Sequence, residues 1–291
     1  LTKKYISIVQ SIEKEATGFS DITLCVSQHD YNHFSNVNKN AQTFIFPNGT
    51  KRHKELNTKD WVNRFKETKH NWIFVASWHQ PNIEGIRRLI NSGLDSMDSR
   101  QAKLWIFGSV GHPIKQFLKE HSKNRSVVQI IGESSDFEIA GAIQSSTGII
   151  LPIWEGGGSN LKTAQALLSD KYIIATNYAF RGYESFISSK GIKIIDEESK
   201  FVQQMLCGEF TRDIFKRSGV ENLEWNNILS DLPNLFHRFY LNKFVNGKID
   251  KLYLEVTSIY KLSGSVSGIT RVVSKLIPIF NFYFRNEITF V

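Results

Sequence analysis

Cysteine is nearly absent. The 291 residues hold two, Cys25 and Cys207, too few and too far apart for a disulfide framework or a cysteine-based zinc site. That usage fits a reducing compartment, and a cytoplasmic protein is expected. Long apolar runs are lacking too. The best, residues 276–284, is half of the roughly 18 residues that a membrane helix needs. No secretory leader is read, because Thr-Lys-Lys and a mixed amphipathic stretch follow Leu1. Leu1 is not an initiating methionine and residues 288–291 break off in strand-like sequence, so the chain is expected to be a piece of a longer polypeptide. What is present is globular in character. With 41% hydrophobic and 22% charged residues, 291 residues make one large domain or two ordinary ones.

The net charge of +8 is unevenly spread. Residues 1–70 carry +4, residues 71–210 are neutral, and residues 211–291 carry +4. A nucleic-acid binder would gather basic residues on one reading element with interleaved aromatics, so no nucleic-acid partner is expected. The flanking charge leaves peripheral contact with an anionic membrane open, and an ordinary lysine-rich solvated surface accounts for it as well.

The middle of the chain alternates short apolar runs with amphipathic stretches. Strands are expected at 72–77 (WIFVAS), 103–108 (KLWIFG), 127–132 (VVQIIG), 148–153 (GIILPI), 172–176 (YIIAT) and 192–196 (IKIID). They are continuous rather than alternating, as strands buried on both faces should be. Helical patterns lie between them at 83–92, 113–121, 136–144 and 160–168, with Pro113 in a first turn and Ser135 or Asp136 as a cap. Strand and helix in this rhythm predict an α/β fold, a doubly wound, Rossmann-like parallel sheet. Residues 1–46 read as helix, strand, short helix and strand, the tail of an earlier α/β unit. Pro47-Asn48-Gly49-Thr50 then signals a turn before a polar linker over 51–69. Residues 198–240 read as helices with Trp225 and Phe236 as packing anchors. A new strand is expected at 248–257 and a helix at 264–275.

The most informative segment is 151–168, LPIWEGGGSNLKTAQALL. A strand ends, three glycines follow, Ser159 or Asn160 can cap, and a helix begins. In a doubly wound sheet ligands sit outside the carboxyl ends of the strands. Gly156, Gly157 and Gly158 carry no side chains, so a diphosphate can approach the backbone, and the helix N-terminus favours an anion. Lys162 in the first turn adds a positive charge, and Gln165, three residues on, shares its face and can reach a sugar hydroxyl. The same residues also read as a flexible connection followed by a solvated lysine. The spacing matches neither GxGxxG nor the P-loop, which argues against NAD binding and against a kinase or ATPase.

The run EGGGSNLKTAQALLSDKYIIATNYAFRGYE, residues 155–184, resembles the donor-binding region of GT-B-fold glycosyltransferases, especially those of glycosyltransferase family 4. Other pieces agree in order: VSQHD at 26–30, FPNGT at 46–50, FVASWHQPNIEGI at 74–86 and IIGESSDFEIAGAI at 130–143. The resemblance implies that 1–50 is the tail of an amino-terminal, acceptor-side domain, 51–69 the interdomain linker and 70–240 a complete donor domain. Residues 248–291, with LYLEVT and SGITRVV, resemble the opening of a second glycosyltransferase module.

Carried over by position, Glu155 matches the first glutamate of the family's paired signature, facing the donor sugar, and Lys162 lies at the donor diphosphate. These two take the catalytic roles. The glycines, Ser159 and Asn160 form the anion turn, and Gln165 stands where the ribose-binding second glutamate falls. The sequence departs there twice, in having Gln for Glu and in lying ten positions after Glu155 rather than eight. Arg181 resembles a residue of the next cleft loop, with a surface ion pair as its other reading. His79 is a loop histidine that can approach sugar or phosphate, and Glu133 and Ser134 lie where the base docks. None of the six tryptophans is assigned to stacking. The resemblance implies sugar transfer from a nucleotide-diphosphate donor to a hydroxyl of a glycan or lipid-linked glycan, with retention, in surface polysaccharide assembly. It implies no cofactor and no obligatory metal, and no Asp-x-Asp motif occurs. A chain that begins inside the acceptor domain is expected to transfer nothing by itself. Two alternatives stay open: a GT-B sugar-nucleotide epimerase, and a non-catalytic donor-binding module.

Overall fold

A computed structural model describes residues 3–237, apart from 21, 38, 40–41, 53–55, 57, 122–123, 125, 157–159, 211–213 and 236, together with 252–254 and 288–290. The chain divides into two compact units, Leu1–Leu223 and Glu224–Val291. The expected linker at 51–69 therefore falls inside the first unit, and the second begins before residue 240.

The first unit opens with α1 (Lys3–Phe19), β1 (Ile22–Cys25), α2 (Gln28–Val37) and β2 (Gln42–Ile45), and β1 and β2 pair in parallel. The main sheet follows, with helix and strand alternating up to β7: α3 (Lys59–Phe65), β3 (His70–Val75), α4 (Gln80–Asn91), β4 (Ala102–Phe107), α5 (Gly111–His121), β5 (Val128–Gly132), α6 (Asp136–Ser145), β6 (Gly148–Leu151), α7 (Leu161–Leu168), β7 (Tyr172–Ala175), β8 (Ile192–Ile194) and α8 (Glu198–Cys207). All six strands are parallel in the order β5-β4-β3-β6-β7-β8. The chain builds outward from β3 to β5, returns to lay β6 beside β3, and builds out the other way. The fold is α/β and Rossmann-like, with its topological switch between β3 and β6.

The six expected strands all form, five of them ending one or two residues earlier at the carboxyl end. Trp72, Ile73, Phe74 and Ile150 are fully buried because helices cover both faces of the sheet. The second half of the segment expected as a linker is helical. Residues there form α3, and its Trp61 and Phe65 are buried against Trp105 at ring distances of 6.1 and 5.1 Å. Two aromatics four residues apart on one helical turn had a core to enter, which outweighs the polar composition around them. Buried Asn71 completes that corner. Its amide donates to the Phe65 and Thr68 carbonyls, and its oxygen accepts from Trp105 Nε1 at 2.9 Å.

Contacts along the first unit tie the segment after β2 to the main sheet. Tyr183 Oη donates to Asn48 O at 3.1 Å, Thr50 N donates to Leu223 O at 2.8 Å, and Arg52 pairs with Asp170 at 2.7 Å. In the second unit, α9 (Trp225–Ser230) carries half-buried Trp225 and buried Ile228. The strand expected at 248–257 appears as β9 (Leu252–Leu254), paired in parallel with β10 (Ile288–Phe290). Phe236 and the helix expected at 264–275 lie outside the described residues.

Candidate functional site

The switch point brings together the loop 76–79 after β3 and the segment 152–156 after β6. Helix α4 starts against the second of these loops. Its Gly85 lies so close to the Pro152 carbonyl that an added Cβ would overlap the oxygen, so glycine is required for the approach. Gly156 has φ +126°, a conformation that side chains rarely adopt, and a Cβ there would meet Pro81 at 3.4 Å. Pro81 sits in the first turn of α4, two residues after the N-cap residue His79. The structure thus places the start of α4 beside Gly156, and the His79 and Glu155 side chains are both exposed.

The loop after β7 closes the third side. Tyr178 Oη donates to the Gly156 carbonyl, as does Arg181 Nη1 at 3.1 Å. Arg181 also donates to Tyr178 Oη, with its guanidinium 4.6 Å from the centre of the Tyr178 ring. Arg181 is therefore turned toward the protein's own glycine loop. Asn160 occupies the N-cap position of α7, but its side chain makes no capping bond. Its Nδ2 instead donates to Ala179 O at 3.3 Å, and Thr163 Oγ1 donates to the same carbonyl at 2.5 Å. The 176–181 segment is in turn fixed by Thr176, whose hydroxyl donates to the Ile153 carbonyl and accepts from Ala179 N.

Lys162 lies in the first turn of α7 and is partly buried. Among the described residues no carboxylate pairs with it. Burial pushes its pKa from 10.5 down to about 8, because the ammonium has lost water and gained no counter-charge. A desolvated cation at the positive end of a helix is a site prepared for an anion. Gln165 follows one turn later, partly exposed.

The remaining expected residues divide. Gly157, Gly158 and Ser159 lie outside the described residues. Glu133, exposed, and Ser134, partly buried, follow β5 at the edge of the sheet. Strands β4 and β3 stand between β5 and β6, so roughly 14 Å of sheet separates them from the glycine loop. That span suits the two ends of one extended ligand. Tyr178 was missed in the sequence. Its only signal was an aromatic three residues before Arg181. Among the described residues no group of three or more His, Cys, Asp or Glu is placed to hold a metal ion. No described helix is long and apolar enough to cross a membrane.

No family model and no curated protein matches the sequence. Solved structures do match. Sucrose-phosphate synthase from Thermosynechococcus elongatus superposes with a TM-score of 0.63 at 17% identity, covering 80% of this chain and 61% of its own. The Anabaena protein HepE in complex with UDP-glucose gives 0.59 at 11% identity, covering 77% and 65%. Trehalose 6-phosphate synthase from Burkholderia multivorans gives 0.58 at 8%, covering 82% and 63%. The chain has the α/β, Rossmann-like fold of these structures. It spans less than two thirds of the length of each.

Proposed function

We propose that this chain is the nucleotide-sugar-binding portion of a GT-B glycosyltransferase of the family 4 kind. The observation that carries the reading is Lys162, a desolvated and unmatched cation in the first turn of α7 at the switch point of the sheet. A nucleoside diphosphate supplies the missing charge. In transfer, the bond from the anomeric carbon to the diphosphate oxygen breaks, a bond to an acceptor hydroxyl forms, and negative charge grows on the leaving diphosphate. Lys162 and the helix terminus oppose that charge by preorganised electrostatics, in the place where other transferases hold a divalent ion. Glu155 faces the donor sugar, Gln165 the ribose, and Glu133 with Ser134 the base. His79 borders the sugar end.

The wider reading follows the resemblance. A hexosyl group passes with retention to a glycan or lipid-linked glycan during surface polysaccharide assembly, in the cytoplasm or at the inner face of the membrane, where the basic flanks favour anionic lipid. HepE is a neighbour crystallised with UDP-glucose, so UDP is the first nucleotide to try. Because the chain spans about three fifths of such proteins, it should bind donor and transfer no sugar alone.

Calorimetry with UDP tests the reading. Wild-type chain should bind, and Lys162→Ala should lose roughly 1.5–3 kcal/mol, the range for a hydrogen bond to a charged group. No binding of UDP, GDP or ADP by the wild type, or no effect of the substitution, would refute it.

A further inference from the structure

Three of the six tryptophans, Trp61, Trp72 and Trp105, are buried in the core, and Trp154 and Trp225 are half-buried. Trp78 differs, with 64% of its surface exposed. A single exposed apolar side chain needs no explanation by itself, but this one has an unusual mounting. The peptide unit joining Ser77 to Trp78 is pinned at both ends. Its carbonyl accepts from the amide of buried Asn82 at 2.9 Å, and its N–H donates to Ser109 Oγ at 2.8 Å. Asn82 is itself anchored in α4, with its N–H on the His79 carbonyl at 3.0 Å. The backbone on which the indole stands therefore cannot swing the ring inward without breaking bonds to two neighbouring elements. An exposed aromatic ring on a braced loop, at the carboxyl edge of the central strand, is a preorganised surface that the described residues leave largely uncovered.

We propose that Trp78 is a stacking platform for a pyranose ring in the cleft between β3 and β6. This rests on the functional reading above and adds a residue to it. A pyranose presents an apolar face of C–H groups with hydroxyls around its rim. Trp78 supplies a flat apolar face, and exposed His79, its neighbour in the chain, and exposed Glu155, beside Gly156, are candidate partners for hydroxyls. A nucleobase is the other flat ligand in such a cleft. Its expected position is beyond β4 at Glu133, whereas the Trp78 loop adjoins Gly156 through Pro81. The pyranose comes either from the donor or from the acceptor glycan, and the two sources separate experimentally.

The test is a set of calorimetric titrations of wild type, Trp78→Ala and Trp78→Phe. The probes are UDP, a panel of UDP-glucose, UDP-galactose and UDP-N-acetylglucosamine, and maltotriose with and without UDP. The platform predicts an unchanged UDP affinity in all three proteins. It also predicts about a tenfold loss for a sugar-bearing probe in Trp78→Ala, with most of that affinity kept in Trp78→Phe. Loss confined to a UDP-sugar assigns the donor, and loss confined to maltotriose assigns the acceptor. An equal loss for UDP and the UDP-sugars, or no loss for any sugar, overturns the platform. Failure of wild type to bind any nucleotide would refute the functional reading, while the maltotriose arm would still decide Trp78. Matching thermal midpoints for the three proteins should accompany the titrations, since an exposed ring contributes little to the core.

Discussion

The phenol of Tyr178 donates a hydrogen bond to the backbone carbonyl of Gly156, 22 residues earlier in the chain, and Arg181 donates to the same oxygen. Two side chains from the loop after β7 thus hold one carbonyl of the loop after β6. The pair braces the glycine loop against the loop after β7.

Tyr178→Phe should therefore lower nucleoside-diphosphate affinity by about 1 kcal/mol, the worth of one hydrogen bond, with the fold intact. Arg181→Met should act through the same carbonyl, so the double variant should be non-additive with a coupling of at least about 0.5 kcal/mol. Calorimetry on the four proteins checks both. Strict additivity would mean that Arg181 acts elsewhere, on the donor itself.

Nucleotide binding should depend on pH through Lys162. In the free protein its pKa is about 8, so the ammonium is charged at pH 7 and neutral by pH 9.5. A bound diphosphate favours the charged form and raises that value, so binding takes up a proton above pH 8. Affinity should be flat below about pH 7.5 and weaken as pH rises through 8 to 9.5. Lys162→Arg should keep the affinity at pH 9.5, and Lys162→Met should be weak throughout. Titrations in buffers of differing ionisation enthalpy measure the proton uptake directly.

Gly85→Ala should destabilise the first unit by about 3 kcal/mol or more, because its Cβ would overlap the Pro152 carbonyl and push α4 off the end of β6. Gly18→Ala is the control. It lies in α1 with nothing near its added methyl, and should be neutral or stabilising by up to about 1 kcal/mol. Urea melts compare the two. A mild Gly85→Ala would show that the helix can move away from the loop.

Arg217 is a structural cation. It is 5% exposed and donates to the carbonyls of Lys190, Leu167 and Lys171 at 3.2, 3.1 and 2.5 Å. Burial pushes its pKa down to about 10, partly offset by the nearby Asp170 carboxylate. Arg217→Met should cost about 3 kcal/mol or more by leaving buried acceptors without donors, and should leave UDP affinity unchanged wherever the protein is still folded. A loss of affinity larger than the loss of stability would instead place Arg217 in the ligand site.

The sequence by itself determined the six parallel strands and the helices between them, and it offered 156–162 as a candidate anion loop. Those depend on local signals: β-branched runs long enough to be buried on both faces, caps such as Ser135, and glycines before a helix. The strand order came from tertiary structure, because each pairing depends on contacts between segments far apart in the chain. That order decided which loops share a cleft. It set His79 beside Gly156 through the start of α4, and put Glu133 three strands away from the glycine loop. Composition suggested a linker where α3 forms, since only the presence of Trp105 and Phe107 gives Trp61 and Phe65 a surface to bury. Arg181 was legible as a charge near the cleft, but its direction was decided by Tyr178 and the Gly156 carbonyl. The exposure of Trp78 was equally out of reach of a linear reading. A tryptophan after a buried strand belongs in the core by hydrophobicity alone, and it is the bracing of its peptide unit by Asn82 and Ser109 that holds it out.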